Sequence, residues 1–103
     1  MPLEAAVLAD LLQSCAPNVA PATMVAIIRV ESEGAPHRIG VNSGASLRAQ
    51  PTNRADAVAT AQSLLRRGAS FDAGLMQINN ANFARLGLTP ENVFDPCTNL
   101  RAG

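Results

Sequence analysis

One glutamate, Glu31, combines a titratable carboxyl group with a place on an apolar helix face. It follows Met24, Ile27 and Ile28 at spacings that put the four side chains on one side of an α-helix. Burial among apolar groups raises the pKa of a carboxyl group, so that it holds a proton near neutral pH and can donate it. The spacing therefore predicts a general acid and base at Glu31. The competing interpretation is a solvated glutamate at a helix end, or one paired with an arginine.

A second stretch, residues 74–79, carries two amide side chains, Gln77 and Asn79, which alternate with Met76 and Ile78. Amides offer paired donors and acceptors, which suits the recognition of sugar hydroxyl and acetamido groups. Asn79 also precedes a predicted helix, so the alternative interpretation is a helix cap, and both roles are compatible.

Local end signals define the elements that must hold these side chains. Pro21 suits the first position of the Glu31 helix, and Gly34 suits the residue just past its end. Asn53 and Asp95 are predicted N-caps of two later helices. Helices are therefore expected over residues 3–14, 21–34, 53–67, 80–86 and 97–103.

Two finer features are expected from the same patterns. Within the predicted helix at 53–67, Val58, Ala61 and Leu65 share a face. Residues 39–47 should form a small irregular hairpin that turns at 42–44. The expected fold class is therefore mainly α, a small helical domain with a short irregular hairpin or loop region.

Composition excludes several classes of function. The 103 residues carry no net charge, with eight arginines and no lysine, so no basic patch indicates a nucleic-acid partner. No apolar run approaches the roughly 20 residues that a membrane-spanning helix needs. Tryptophan and tyrosine are absent and only three phenylalanines occur, so the core must be built from aliphatic residues, which favours helices.

The two cysteines and the single histidine have several possible roles. Cys15 and Cys97 belong to no metal-binding pattern, and composition leaves two buried thiols and one disulfide equally open. His37 is expected to be an exposed loop residue, since no nucleophile motif accompanies it. Glu4 and Asp10 interrupt the apolar N-terminal segment, which therefore does not fit an export signal.

Three stretches, in this order, resemble the lytic transglycosylases of the lysozyme-like superfamily, in particular the VirB1-type enzymes of type IV secretion and conjugation systems. Residues 30–36 look like the Glu-Ser motif of that family. Residues 74–79 are similar to its Gly-x-Met-Gln-Ile motif, and residues 94–103 to its Asp-Pro-Cys-x-Asn segment. The resemblance extends over residues 14–103.

The resemblance implies a role for each motif residue. Glu31 is implied to be the only catalytic acid and base, acting on the glycan strands of peptidoglycan. Met76 and Gln77 are implied to line the glycan groove, with Ser32 and Asn79 close by as further substrate-binding residues. No metal or cofactor is implied.

The resemblance also has implications for the cellular location of the protein and for how much of the family's domain the chain contains. It implies a disulfide between Cys15 and Cys97, a periplasmic location and type IV secretion components as partners. It implies a lysozyme-like (α+β) fold for residues 1–103 as a single transglycosylase domain. The family's downstream Ala-Tyr-Asn segment has no counterpart, and Glu33 stands where the family has glycine or another small residue. We therefore expect a lobe whose C-terminal part is missing.

Two alternatives remain open at the level of sequence. A hydrolytic muramidase would need a second carboxylate, for which Asp72 is the candidate, although a turn residue is the preferred interpretation of Asp72. Glu33 is a poorer candidate because it should lie off the Glu31 face. The other alternative is a non-catalytic fragment that binds glycan or a component of a secretion channel.

Overall fold

Helices form most of the regular structure in the computed structural model, which describes residues 2–42 and 47–103. Within these residues, five α-helices and a 3-10 helix accompany three short strands, which confirms the predicted mainly α class. The elements are α1 (Ala5–Cys15), α2 (Pro21–Ser32), β1 (Ile39–Val41), α3 (Arg54–Arg66), β2 (Phe71–Ala73), β3 (Ile78–Asn79), the 3-10 helix (Asn80–Asn82), α4 (Phe83–Leu86) and α5 (Pro96–Ala102).

The predicted N-caps of α3 and α5 are confirmed. The Asn53 side chain accepts a hydrogen bond from the backbone N–H of Asp56 at 2.8 Å. The Asp95 carboxylate accepts one from the N–H of Thr98 at 2.9 Å, and Pro96 occupies the first turn of α5. Each cap satisfies a backbone donor that a helix start leaves without an intrahelical partner.

Helix α2 begins at Pro21, as predicted, but ends at Ser32 rather than directly before Gly34. Glu33 is its C-cap in the left-handed region at φ 55°, and Gly34 follows at φ 78°. Two successive left-handed residues reverse the chain sharply behind Glu31. The backbone then leads through residues 35–38 into β1.

The strands form one antiparallel sheet in the order β1-β2-β3. Ile39 lies opposite Ala73, and Asp72 lies opposite Asn79. The prediction of a local hairpin at 39–47 is therefore wrong for β1, which pairs with the distant β2; residues 43–46 of that hairpin lie outside the described part of the chain. The reason is burial, because Ile39, Phe71 and Ala73 all belong to one apolar core.

Two clusters of buried side chains form the core. One joins the sheet to α3 and α4, and the other joins α1, α2 and α5 around Leu75. The buried face of α3 consists of Ala57, Ala61 and Leu64, whereas Leu65 is 38% exposed. Of the three residues expected to share a face, Ala61 is buried and Val58 packs against the sheet cluster, while Leu64 and not Leu65 continues the buried face.

A disulfide between Cys15 and Cys97 joins the end of α1 to the first turn of α5. Of the two possibilities left open by composition, the structure contains the bridge that the family resemblance implied. Among the described helices, none combines the length and apolar character needed to cross a membrane.

Candidate active site

Glu31 lies in the last turn of α2 with its side chain exposed. The buried face of α2 consists of Met24, Ile28 and Ser32, while Ile27 is 37% and Val30 82% exposed. The expectation of a buried Glu31 carboxyl group is therefore wrong. Its apolar neighbours Ile27 and Val30 lie beside it on the surface and do not cover it, because the helix turns only the Met24–Ile28–Ser32 edge inward.

Ser32, the residue after Glu31, is buried with 1% exposure. Its hydroxyl donates to the carbonyl of Ile28 at 3.2 Å, and its own carbonyl accepts from the N–H of Ala35 at 3.0 Å. These two bonds fix the end of α2. The hydroxyl therefore points into the protein, where it orients the helix turn that presents Glu31.

A tight turn at residues 74–77, here called the 74–77 turn, joins β2 to β3. It begins at Gly74 with φ 79° and ends at Gln77 with φ 48°, and the Gln77 N–H donates to the Gly74 carbonyl at 3.0 Å. A Cβ atom at Gly74 would lie only 2.1 Å from Nδ2 of Asn99. Gly74 is thus required both for the backbone conformation and for the close approach of Asn99.

The Gln77 side chain ties the 74–77 turn to the segment that follows α2. Its Nε2 donates to the carbonyls of Arg38 at 3.0 Å and Gly74 at 2.9 Å. The Gly74 N–H donates to the same Arg38 carbonyl at 2.9 Å. Both amide protons of Gln77 are thereby engaged, and from the described residues its Oε1 accepts no hydrogen bond. That oxygen remains available to a ligand.

Apolar contacts bring the 74–77 turn against the helix that carries Glu31. Leu75 is fully buried in the same cluster as Met24 and Ile28 of α2. Met76 is partly buried and packs against both core clusters. The turn therefore packs through Leu75 against the buried face of α2, whose last member is Ser32, the residue after Glu31.

Asn79 serves as the cap of the following 3-10 helix, which confirms one of its two predicted roles. Its Oδ1 accepts from the N–H of Ala81 at 2.9 Å. Its Nδ2 donates to Oδ1 of Asp72 at 2.9 Å and to the hydroxyl of Ser70 at 3.2 Å. Asp72 lies within β2 and not in a turn, contrary to expectation, and its carboxylate holds the Asn79 amide.

Asn99 of α5 is a site residue for which sequence reasoning assigned no role. It is fully buried, and its Oδ1 accepts from the N–H of Met76 at 2.7 Å. Its Nδ2 donates to the carbonyls of Ala73 at 3.0 Å and Val93 at 2.8 Å. The sequence signal that could have pointed to Asn99 was its place in the Asp-Pro-Cys-x-Asn segment. That motif alone does not show which groups the Asn99 amide contacts.

His37 lies in a cleft of about 260 Å³ behind the end of α2, together with Glu33, Arg38 and Gln50. Partial burial lowers the pKa of His37, so the exposed loop position that the sequence predicted is only half correct. In residues 2–42 and 47–103, no group of three or more His, Cys, Asp or Glu side chains is arranged to hold a metal ion. An apolar cavity of about 220 Å³ lies between α1 and α2, and Glu31 does not line it.

Comparison with known proteins connects this arrangement to a family. The transglycosylase SLT domain matches residues 12–103 of the chain. The type IV secretion system protein virB1 of Brucella abortus is 47% identical over 93 residues, covering 90% of this chain and 39% of the relative. The protein virB1 of Agrobacterium fabrum is 43% identical over 100 residues, covering 96% of this chain and 40% of the relative. The chain thus spans about two fifths of the length of the curated relatives that it matches. No solved structure gives a significant match.

Proposed function

Because the chain belongs to the transglycosylase SLT domain family, we propose that it is a peptidoglycan lytic transglycosylase. The bond cleaved is the β-1,4 link between N-acetylmuramic acid and N-acetylglucosamine, and the product carries a 1,6-anhydro ring. The observation that carries this proposal is the exposed Glu31 at the end of α2, the helix whose buried face packs against Leu75 of the turn that contains Met76 and Gln77.

One carboxyl group suffices for this reaction. Protonated Glu31 donates its proton to the glycosidic oxygen, and the bond from that oxygen to the anomeric carbon breaks. The resulting carboxylate then takes the proton of the muramoyl 6-hydroxyl, whose oxygen bonds to the same anomeric carbon. Glu31 returns to its protonated form, and no water is consumed, unlike the two-carboxylate hydrolysis of glycosides.

Because Glu31 is exposed, its carboxyl group would be shielded from water only when substrate is bound. Ile27 and Val30 are exposed aliphatic side chains four residues and one residue before Glu31, and burying them under a sugar ring would be favourable. A glycan bound there excludes water from the carboxyl group, which strengthens its hydrogen bond to the glycosidic oxygen.

Three side chains form the proposed glycan-binding wall, Met76, Gln77 and Asn79. The Oε1 of Gln77 is the acceptor for a sugar hydroxyl or an acetamido N–H, because its amide protons are held by backbone carbonyls. Met76 supplies the apolar contact at the outer end of the turn. Asn79 lines the wall beyond it, and buried Ser32 supports the helix end beneath Glu31.

The proposed setting is the periplasm, where the enzyme opens the cell wall locally for a secretion or conjugation apparatus. This setting is supported by the similarity to the type IV secretion system protein virB1 over most of the chain. A disulfide between Cys15 and Cys97 fits an oxidising compartment. Peptidoglycan strands and components of the secretion channel are the proposed partners.

The decisive experiment is mass spectrometry of muropeptides released from purified peptidoglycan, comparing the unmodified chain with Glu31→Gln. We expect anhydro-muramoyl products from the unmodified chain and at least about a hundredfold less from the variant, since general acid–base groups contribute that much or more. Glu33→Gln is the matched control, because Glu33 is an exposed neighbour off the proposed chemistry, and it should retain activity.

Each of the other outcomes contradicts the proposal in a specific way. Products with reducing ends would identify a hydrolytic muramidase, for which Asp72 is the candidate second carboxylate. Glycan binding without cleavage by either form would identify a non-catalytic module. Equal release by the unmodified chain and Glu31→Gln would remove the catalytic role of Glu31.

A further inference from the structure

Asn99 reaches from α5 into the middle of the 74–77 turn, a contact that the proposed function leaves unexplained. We propose that Asn99 is a positioning residue for glycan cleavage, which aims Met76 and Gln77 through its hydrogen bond to the Met76 backbone. This inference rests on the function proposed above. The residue itself is completely buried and does not contact substrate.

No other side chain of the same size as Asn99 can satisfy the hydrogen-bonding groups around it. Two carbonyl oxygens, of Ala73 and Val93, require two N–H donors, and the N–H of Met76 requires one acceptor. A carboxylate would set an oxygen against two carbonyl oxygens. An isosteric leucine would remove all three hydrogen bonds.

The geometry of the turn makes its centre depend on Asn99. Residues at the two ends of the turn, Gly74 and Gln77, are tied to the Arg38 carbonyl by hydrogen bonds of 2.9 and 3.0 Å. The Met76 N–H lies between those ties and is bonded only to Asn99 in the described structure, at 2.7 Å. A Cβ atom on Gly74 would overlap the Asn99 amide, so the two side chains have matching shapes.

Loss of this contact should therefore alter the direction of Met76 and Gln77 more than the fold of the remaining chain. The Asn99 side chain is a member of neither hydrophobic cluster and takes no part in the disulfide, and its contacts with the sheet cluster are the two hydrogen bonds to the carbonyls of Ala73 and Val93. The two residues that it aims are those proposed to hold the glycan against Glu31. A displacement of about 1 Å in such a contact is sufficient to reduce cleavage a hundredfold.

The test compares Asn99→Ala with Leu64→Ala, a control that also removes a buried side chain but lies on α3 and makes no hydrogen bond to the turn. Amide hydrogen exchange of Met76 is measured by NMR on both variants. Affinity for a soluble peptidoglycan glycan fragment is measured in the Glu31→Gln background, and kcat and KM are measured with Glu31 intact.

We expect Asn99→Ala to speed exchange at the Met76 amide at least tenfold, to weaken glycan binding about tenfold and to lower kcat/KM further. Leu64→Ala should change the melting temperature but none of these three quantities per folded molecule. If Asn99→Ala behaves like Leu64→Ala while the unmodified chain cleaves glycan, the inference is wrong and the proposed function stands. If the unmodified chain neither binds nor cleaves glycan, both are wrong.

A second variant covers the case in which Asn99→Ala does not fold. Asn99→Asp keeps the acceptor for Met76, and its carboxyl group regains one donor when it is protonated. We expect the activity of Asn99→Asp relative to the unmodified chain to rise as the pH is lowered, and a ratio independent of pH would overturn the proposal.

Discussion

At the scale of single residues, the candidate site separates groups that hold the fold from groups left to a ligand. The amide protons of Gln77 bind backbone carbonyls, while its Oε1 has no partner among the described residues. Ser32 is buried behind Glu31, and Glu31 itself is exposed. A rigid base under an accessible functional group is the arrangement that positions a catalytic side chain accurately.

Gly74 provides a test of how tightly the turn is built. Gly74→Ala introduces both left-handed strain at φ 79° and an overlap with Asn99, whereas Gly68→Ala has φ 70° and nothing within 4 Å. We expect Gly68→Ala to cost about 1 kcal/mol of unfolding free energy from strain alone, and Gly74→Ala about 3 kcal/mol or more. Denaturant unfolding measures the unfolding free energy of both variants. Equal decreases would show that the Asn99 side chain moves to make room for the new methyl group.

His37 predicts a pH dependence of stability. Burial lowers its pKa in the folded state from an ordinary value near 6.5, so the unfolded chain binds this proton more readily. Stability should therefore be full above about pH 6.5 and should decline as the pH falls from there through the lower folded-state pKa. The charged residues lining the same cleft are Glu33 and Arg38.

Melting temperatures at about pH 7.5 and about pH 5.5 measure this effect. His37→Gln should flatten the difference between the two values. The lowered pKa of Glu91, which Gln62 stabilises by a hydrogen bond, acts only below about pH 4.5 and leaves this window undisturbed. An unchanged pH dependence in His37→Gln would assign the effect to other groups.

At the scale of elements, α5 carries more of the site than its seven residues suggest. It holds Cys97 in its first turn, and Asn99 directly precedes its buried leucine, Leu100. Its start depends on Asp95, whose carboxylate accepts from both the N–H and the hydroxyl of Thr98. Asp95→Ala should therefore destabilise the protein by about 1 kcal/mol.

The site predicts a further consequence of Asp95→Ala. Because the cap fixes the helix that holds Asn99, exchange at the Met76 amide should also rise in this variant. Asn53→Ala is the matched control, since it removes an equivalent cap from α3 without touching α5. Similar exchange at Met76 in both variants would contradict a specific link between α5 and the turn.

The helices could be predicted from sequence because their determinants are local. Pro21, Asn53 and Asp95 act on the adjacent turn of backbone, and each begins its helix as expected. The partner of β1 could not be predicted, because Ile39 meets Ala73 across a long stretch of chain. The exposure of Glu31 was not predicted for a related reason. Helical spacing shows which residues share a face, but not which edge of that face the rest of the protein covers.

The family was recognised through sequence motifs more than through the physical properties of single residues. The resemblance to VirB1-type lytic transglycosylases is confirmed by the family match over residues 12–103 and the relatives that are 40 to 47% identical. The roles of Glu31, Met76 and Gln77 remain predictions. The contacts of Asn99 could not be predicted, because its three hydrogen-bond partners are backbone groups that only the folded turn brings together.

At the scale of the whole molecule, the Cys15–Cys97 disulfide closes most of the chain into one loop, with a sequence separation of 82 residues. It joins α1 to α5 within the cluster that also contains Leu75 and Ile28. In the chain-entropy account, a bridge that closes a loop of this length raises the free energy of unfolding by about 4 kcal/mol. The bridge thus supports the same cluster that holds the turn against α2.

Reduction should therefore lower the melting temperature substantially and should also lower glycan cleavage, since α5 and Asn99 lose their covalent tie to α1. Differential scanning calorimetry with and without reductant measures the first effect, and muropeptide release measures the second. The double variant Cys15→Ser with Cys97→Ser is the control, because it should match the reduced protein and respond to reductant in neither assay. A melting temperature that reductant leaves unchanged in the unmodified chain would mean that the stability of the helical cluster comes from packing alone.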